Sequence, residues 1–321
     1  MVSSISHKFS QQAHAAKIMQ DYYYSFNRYL SEKFGARVQR VSVNAGFGCP
    51  NRDGTLGSDG CIFCNEEGFA NFPAARLGLH EQIRSSMAFF RQRFKAEKFI
   101  LYFQNASNTH ASVAQLKEAF DVVRDFPEMV GLFIATRPDC VDEEKLDLIA
   151  TYSGDYDVWI EYGLQSSNDA TLAAINRSHT FARFKDAVMM TAQKNLKSSC
   201  HVIVGLPQEG RSEIIETAQQ ISRLPLRGVK IHALHVVKET KLAQLYQAGS
   251  VRLLGPEEYI GLVCDFLEHL NPGFVIMRLV SNAKPEVLIA PQWINNKQKM
   301  LDAIEAEFKR RKTKQGIYYA Q

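Results

Sequence analysis

Three cysteines crowd one stretch of this chain. Cys49, Cys61 and Cys64 stand with the spacing C-x11-C-x2-C, in a segment rich in Gly, Asp and Asn. Such a segment folds back as a loop and can bring three sulfurs together. Thiolates are the usual protein ligands of iron–sulfur clusters. A four-iron, four-sulfur cluster held by three cysteines keeps one iron free of protein, where a substrate or cosubstrate can bind. Zinc is the competing reading, because C-x2-C is half of many zinc sites. Zinc asks for a fourth ligand, yet the chain has no second C-x2-C and no C-x2-H. Nothing in the spacing of His80 or His110 marks either as that ligand. Three free thiols on an exposed loop would oxidise easily. Cys140, Cys200 and Cys264 stand alone, as small buried hydrophobes do.

The loop directly follows a run that alternates like a strand, residues 37–43. Short, nearly all-apolar runs recur at 98–104, 130–136, 158–162, 200–204 and 229–234. Runs of this length fit strands covered on both faces, as in a parallel sheet. Helical spacing lies between them. Residues 112–120 carry it, Asp142 and the Asn168–Asp169 pair open helices, and Thr180 and Ser212 start two more. Six such units argue for a parallel α/β fold. The unusual polar residues fall just after strands: Gln104, Asn105, Thr136, Arg137, Glu161, Pro207 and His235. Barrel enzymes keep their chemistry at the C-terminal ends of strands, which favours a partial (β/α)6 TIM-like barrel over an open doubly wound sheet. We expect this core over residues 36–250. An N-terminal helical extension, 1–35, carries an aromatic-rich helix over 11–34. A C-terminal α+β extension, 251–321, adds a helix, a strand over 274–280 and a terminal helix from about Trp293, which together could close the barrel's open side.

The composition suits a large globular core: 45% of the 321 residues are hydrophobic and 22% charged. No apolar run reaches the roughly 18 residues of a membrane span, and the first ten residues lack the apolar stretch of a signal peptide. A cytoplasmic protein with no membrane partner is expected. The net charge of +4 is mild. Lys309, Arg310, Arg311, Lys312 and Lys314 form a basic block. A solvated helix end is the favoured reading, and phosphate contact is the other.

Cys61-Ile62-Phe63-Cys64 resembles the C-x-aromatic-C ending of radical S-adenosylmethionine enzymes. The strings CPNRDGT, YFQNASNTH, ATRPDC, EYGLQSSND, INRSHT, GLPQE and KIHALHVVKET extend the resemblance, to the YhcC-type group, over about residues 20–316. Gly48 and Asp59 depart from the pattern, standing in place of a Thr and a Gly. The group is similar to the radical half of the elongator catalytic subunit, which modifies wobble uridine in tRNA, and to oxygen-independent coproporphyrinogen oxidases. The resemblance implies a 4Fe-4S cluster on Cys49, Cys61 and Cys64 that reductively cleaves S-adenosylmethionine. It implies an electron donor such as flavodoxin or ferredoxin. It puts Phe63 near the adenine and Gln104 and Asn105 near the methionine amino group. Glu161, with Gln165 and Ser166 beside it, would contact ribose or methionine. Arg177 would meet the methionine carboxylate, and Gly205 to Pro207 would shape the cleft. Arg137, Asp139, His232 and His235 would face substrate; Cys140 has no assigned role. A tRNA is the leading candidate substrate. A small metabolite or tetrapyrrole is the alternative, and a zinc-stabilised RNA-binding protein is the non-enzymatic one.

Overall fold

A computed structural model describes residues 22–65 and 77–320. The six expected strands are present, with ends shifted by a few residues: β1 (Val38–Val43), β2 (Lys98–Phe103), β3 (Met129–Thr136), β4 (Asp157–Gln165), β5 (Lys197–Val204) and β6 (Gly228–Ala233). A separate antiparallel ladder, β7 (Val236–Val237) with β9 (Leu288–Ala290), was not anticipated. A seventh strand, β8 (Val275–Arg278), joins the main sheet beside β6. The sheet order is β1-β2-β3-β4-β5-β6-β8, and every neighbouring pair is parallel.

Alternation along the strands divides the core in two. Val41, Leu101, Leu132, Ile160, Val202 and Ile231 point outward, into the larger apolar core. Val38, Ile100, Phe133, Trp159, Val275 and Met277 point inward, onto Phe26 and Leu30 of α1 (Phe26–Phe34). The two end strands, β1 and β8, share this inner cluster although five strands separate them in the sheet. The sheet therefore curls into a half-barrel, and α1 stops the end where the strands begin. Tyr29 completes the stopper: its hydroxyl donates to the buried Asp157 carboxylate at 2.7 Å.

The covering helices are α2 (Leu79–Phe94), α3 (Val113–Asp121), α4 (Glu143–Ala150), α5 (Asp169–Ala174), α6 (Phe181–Gln193) and α7 (Arg211–Ser222). Side chains of Ser112, Asp142, Asn168 and Thr180 accept from the free N–H groups that begin four of them. One start differs from expectation. The last of these helices begins at Arg211, with Gly210 at the cap, because the Glu213 carboxylate accepts from the Gly210 N–H at 2.8 Å.

The C-terminal extension corrects two expectations. Its strand β8 lengthens the sheet to seven strands instead of closing it, because it pairs parallel to β6 and leaves β1 and β8 as the two edges. The N-terminal segment lies against the free edge of β8, where Ser25 bridges Ile276. After α8 (Lys241–Gln247), helix α9 (Pro256–His269) packs against α7 and against the terminal α10 (Lys297–Arg311). A 3-10 turn, Gln292–Asn295, precedes α10 where the terminal helix was expected to start. The first 21 residues lie outside the described residues, and with them the polar N-terminus and the first part of the expected aromatic helix. Its described part is broken at Tyr24 and Ser25, which lie along β8, so α1 begins only at Phe26, capped by the Ser25 side chain. No helix among the described residues is long and apolar enough to cross a membrane.

Candidate functional site

The cysteine loop leaves β1 at its C-terminal end and is fastened at several points. Tight turns form where Arg52 and Asp53 N–H groups donate to Cys49 O and the Cys64 N–H donates to Cys61 O. Asn51, almost fully buried, is the central peg. Its Nδ2 donates to Asn176 O at 2.7 Å, and its Oδ1 accepts from Ser178 Oγ at 2.6 Å. Asn176 returns a bond from its own Nδ2 to Gly60 O at 2.6 Å. The Ile62 N–H donates to Ile175 O, and the Ser107 N–H donates to Gly48 O. The loop is thus clamped between the turn after α5 and the loop after β2. Asn51, Asn176 and Ser178 were not singled out from sequence, although they sit in two of the strings that carry the family resemblance.

Arg177 occupies that same turn. It is buried. Its Nε and Nη2 donate to Gly163 O at 3.2 and 2.5 Å, and its Nη1 lies 3.4 Å from Cys61 Sγ. A hydrogen bond from Cys64, then the guanidinium charges of Arg177 and Arg137, draw the Cys61 thiol well below its usual range. Arg137 braces Arg177 from behind. Its Nη2 donates to Arg177 O at 2.8 Å, and its guanidinium forms a two-point ion pair with Asp139.

A cleft of about 520 Å³ opens beside Cys49 and Cys64, over the C-terminal ends of the strands. Phe63, Gln104, Asn105, Glu161, Gln165 and Arg177 all line it, together with Arg137 and His232. The structure thus gathers six of the seven residues assigned to the cosubstrate at one cavity. Ser166 is outside this lining. It is fully buried and donates to Glu209, whose carboxyl burial pushes up to about 7. Gly205 also lies away from the cleft. Its φ is +93°, and a Cβ there would come 2.9 Å from Leu254, so the glycine serves packing. His235 bonds to Ala233 O and faces Ser281. Cys140 lines a smaller cavity on the far side of the loop, and burial pushes its thiol up to about 12.

The family resemblance put Glu161 at the cosubstrate's ribose or methionine. It lies fully buried, at mid-barrel. Its Oε2 accepts from Tyr102 at 2.7 Å, meets His201 Nε2 at 2.8 Å and accepts from Lys230 at 3.0 Å. Burial pushes this carboxyl up, but the charges of Lys230, His201 and Arg40 win and hold it well below the carboxylate range. Burial pushes Lys230 the other way, down to about 7. The other Glu161 oxygen, Oε1, is buried with no protein partner. Asn105 Nδ2 and Arg137 Nη1 are in the same condition. Native proteins seldom leave such atoms unmatched, and a polar ligand is a common reason when they do.

Among the described residues, no three His, Cys, Asp or Glu side chains gather closely enough to hold one metal ion. A cubane makes no such demand, since its three thiolates bind three different irons.

A family model of the Radical SAM superfamily matches residues 43–221, and one of the Radical SAM C-terminal domain matches 226–310. The chain is 36% identical to YtqA of Bacillus subtilis over 298 residues, covering 92% of each protein. It is 35% identical to YhcC of Escherichia coli over 269 residues, 84% of this chain and 86% of that one. Among solved structures it is similar to an N-terminally truncated archaeal Elp3 of Methanocaldococcus infernus, with a TM-score of 0.63 and 14% identity. That match covers 87% of this chain and 64% of the other, and at such identity it speaks for the fold alone.

Proposed function

The chain belongs to the radical S-adenosylmethionine superfamily of enzymes, and on that premise we propose that Cys49, Cys61 and Cys64 hold a 4Fe-4S cluster beside a cleft that takes S-adenosylmethionine. One observation carries the reading. The three-cysteine loop borders a cleft whose walls hold Glu161 Oε1, Asn105 Nδ2 and Arg137 Nη1 without protein partners. When bound, the cluster would supply the electron that splits the cosubstrate into methionine and a 5′-deoxyadenosyl radical, which takes hydrogen from a further substrate.

The protein's own residues have separable tasks. Arg177 would meet the methionine carboxylate while its guanidinium steadies Cys61. Gln104 and Asn105 would receive the amino group. Ser42 already donates to Gln104 Oε1, which fixes that amide's direction. Glu161 would accept a ribose or ammonium N–H or O–H through its open oxygen. Phe63 belongs to an apolar cluster with Ile175 and Leu206 while lining the cleft, so it offers the adenine a face held in place from behind. Ser166, away from the cleft, would support Gln165 through the chain. A reducing cytoplasm suits these thiols, and a flavodoxin or ferredoxin would suit as electron donor.

The test is anaerobic purification followed by metal analysis and turnover with S-adenosylmethionine and a reductant. Four irons per chain and release of 5′-deoxyadenosine are expected. Cys61→Ala should bring product to background. Product formation that survives this substitution overturns the reading, and one zinc with no iron favours the zinc alternative. For the substrate, tRNA remains our leading proposal, supported by the similarity of the YhcC-type group to the radical half of the elongator catalytic subunit and by three exposed lysines, Lys309, Lys312 and Lys314. A small metabolite or tetrapyrrole is the alternative.

A further inference from the structure

The mid-barrel layer beneath the cleft carries more positive charge than its partners neutralise. Arg40 projects from β1, Lys230 from β6 and Arg278 from β8. Lys230 and Arg278 are register partners on adjacent strands. Glu161 is the carboxylate acting most strongly on Lys230 and Arg278, and its Oε2 is already shared by Lys230, His201 and Tyr102. Neither arginine forms an ion pair among the described residues. Arg40 lies over the rings of Phe26 and Tyr102, 4.9 and 5.6 Å from their centroids, and its Nη1 is buried without a partner. His232 lines the cleft above, and its Nε2 is likewise buried and unpartnered.

Aromatic faces ease the burial of a guanidinium but leave its charge in place. Two guanidiniums brought together, with a lysine behind them, repel one another. After burial itself, Arg40 is the largest influence lowering the Arg278 pKa, and both arginines act the same way on Lys297 at the start of α10. A fold tolerates such a cluster most easily when an incoming anion completes it. Position agrees with this. β1 and β8 are the two edges of the sheet yet share one inner apolar cluster, and Arg40 and Lys230, the register partner of Arg278, both lie over the Tyr102 ring. Paired guanidinium forks match the planar oxygens of a carboxylate and the tetrahedral oxygens of a phosphate.

We propose that Arg40 and Arg278, with His232 beside them, bind an anionic group, a carboxylate or a phosphate, carried by the enzyme's second substrate. This rests on the radical reading for the other occupant of the cleft, S-adenosylmethionine, and for the word substrate. The anion site itself is built from charge and position alone.

The experiment measures thermal unfolding of the full chain, with and without S-adenosylmethionine, in inorganic phosphate, in acetate and in sodium chloride of matched ionic strength. At least one oxyanion should raise the Tm by a few degrees over chloride, and whichever does so names the source, phosphate or carboxylate. Arg278→Gln and Arg40→Gln should each abolish that shift. Arg93→Gln, on the exposed face of α2, should keep it. The melting curves themselves report whether each variant folds, and a wild type that shows no oxyanion shift overturns the proposal without them. So does a shift that survives in a folded Arg278→Gln or Arg40→Gln protein. So does competition between the oxyanion and S-adenosylmethionine, which would put the anion in the cosubstrate's own place. Wild type that shows the shift but never releases 5′-deoxyadenosine would remove the radical reading and leave the anion site standing.

Discussion

Gly163 and Arg177 decide how the cysteine loop meets the barrel. The guanidinium can reach both Gly163 O and Cys61 Sγ only because position 163 has no side chain. A Cβ there would lie 2.5 Å from Arg177 Nη2 and 3.0 Å from Gln165 Nε2. Gly163→Ala should therefore push Arg177 off its partners. Leaving a buried donor unmatched costs about 1–3 kcal/mol, and a tenfold loss of rate corresponds to about 1.4 kcal/mol. We expect a folded variant whose 5′-deoxyadenosine formation falls roughly tenfold or more, with a raised KM for S-adenosylmethionine. Wild-type rate and KM would contradict the role given to Arg177. The same logic makes Glu161 intolerant of isolated change, because removing one partner of a buried ion pair costs about 3–5 kcal/mol.

At the scale of elements, the loop from Cys49 to Cys64 has no regular structure of its own and borrows its shape from its neighbours. Asn51 carries much of that borrowing. Asn51→Ala removes its bonds to Asn176 and Ser178. We expect about 1–3 kcal/mol of lost stability, and iron per chain after gel filtration below half that of wild type, with unchanged far-UV circular dichroism. Full iron retention and an unchanged Tm would show that the loop holds its shape without the peg. Helix starts were legible at this scale because their signals are local: Ser112, Asp142, Asn168 and Thr180 cap where their residue types predict. The short β7–β9 ladder was not, since two- and three-residue strands leave no periodicity to read.

At the scale of the whole molecule, the basic block near the C-terminus resolves into two kinds of cation. Arg310 is paired with Glu307, and Arg311 with Asp265, Glu268 and Glu307, so these arginines fasten α10 to α9 and to itself. Lys309, Lys312 and Lys314 are exposed. If tRNA is the substrate, replacing the three lysines by Gln should weaken its binding and flatten its salt dependence, by about one unit of slope per lost phosphate contact. Filter binding across a salt series checks this. Absence of tRNA binding by the wild type at low salt would remove tRNA and leave a small anionic substrate.

The sequence by itself determined the three thiols, the strand–helix rhythm and the parallel sheet, because each is written in the types and spacing of near neighbours. It also brought Gln104, Asn105, Thr136, Arg137 and Glu161 to the cleft, since polar residues just after apolar strands gather where the strands end, whereas Phe63, Gln165 and Arg177 were reached only through the family resemblance. Only the tertiary structure decided that β8 extends the sheet rather than closing it, that Ser166 turns away from the cleft, and that β1 and β8, the strands of Arg40 and Arg278, share one inner cluster. Those outcomes depend on curvature, register and burial. The last of them brings together side chains more than two hundred positions apart, and no pattern of neighbouring residues records such a meeting.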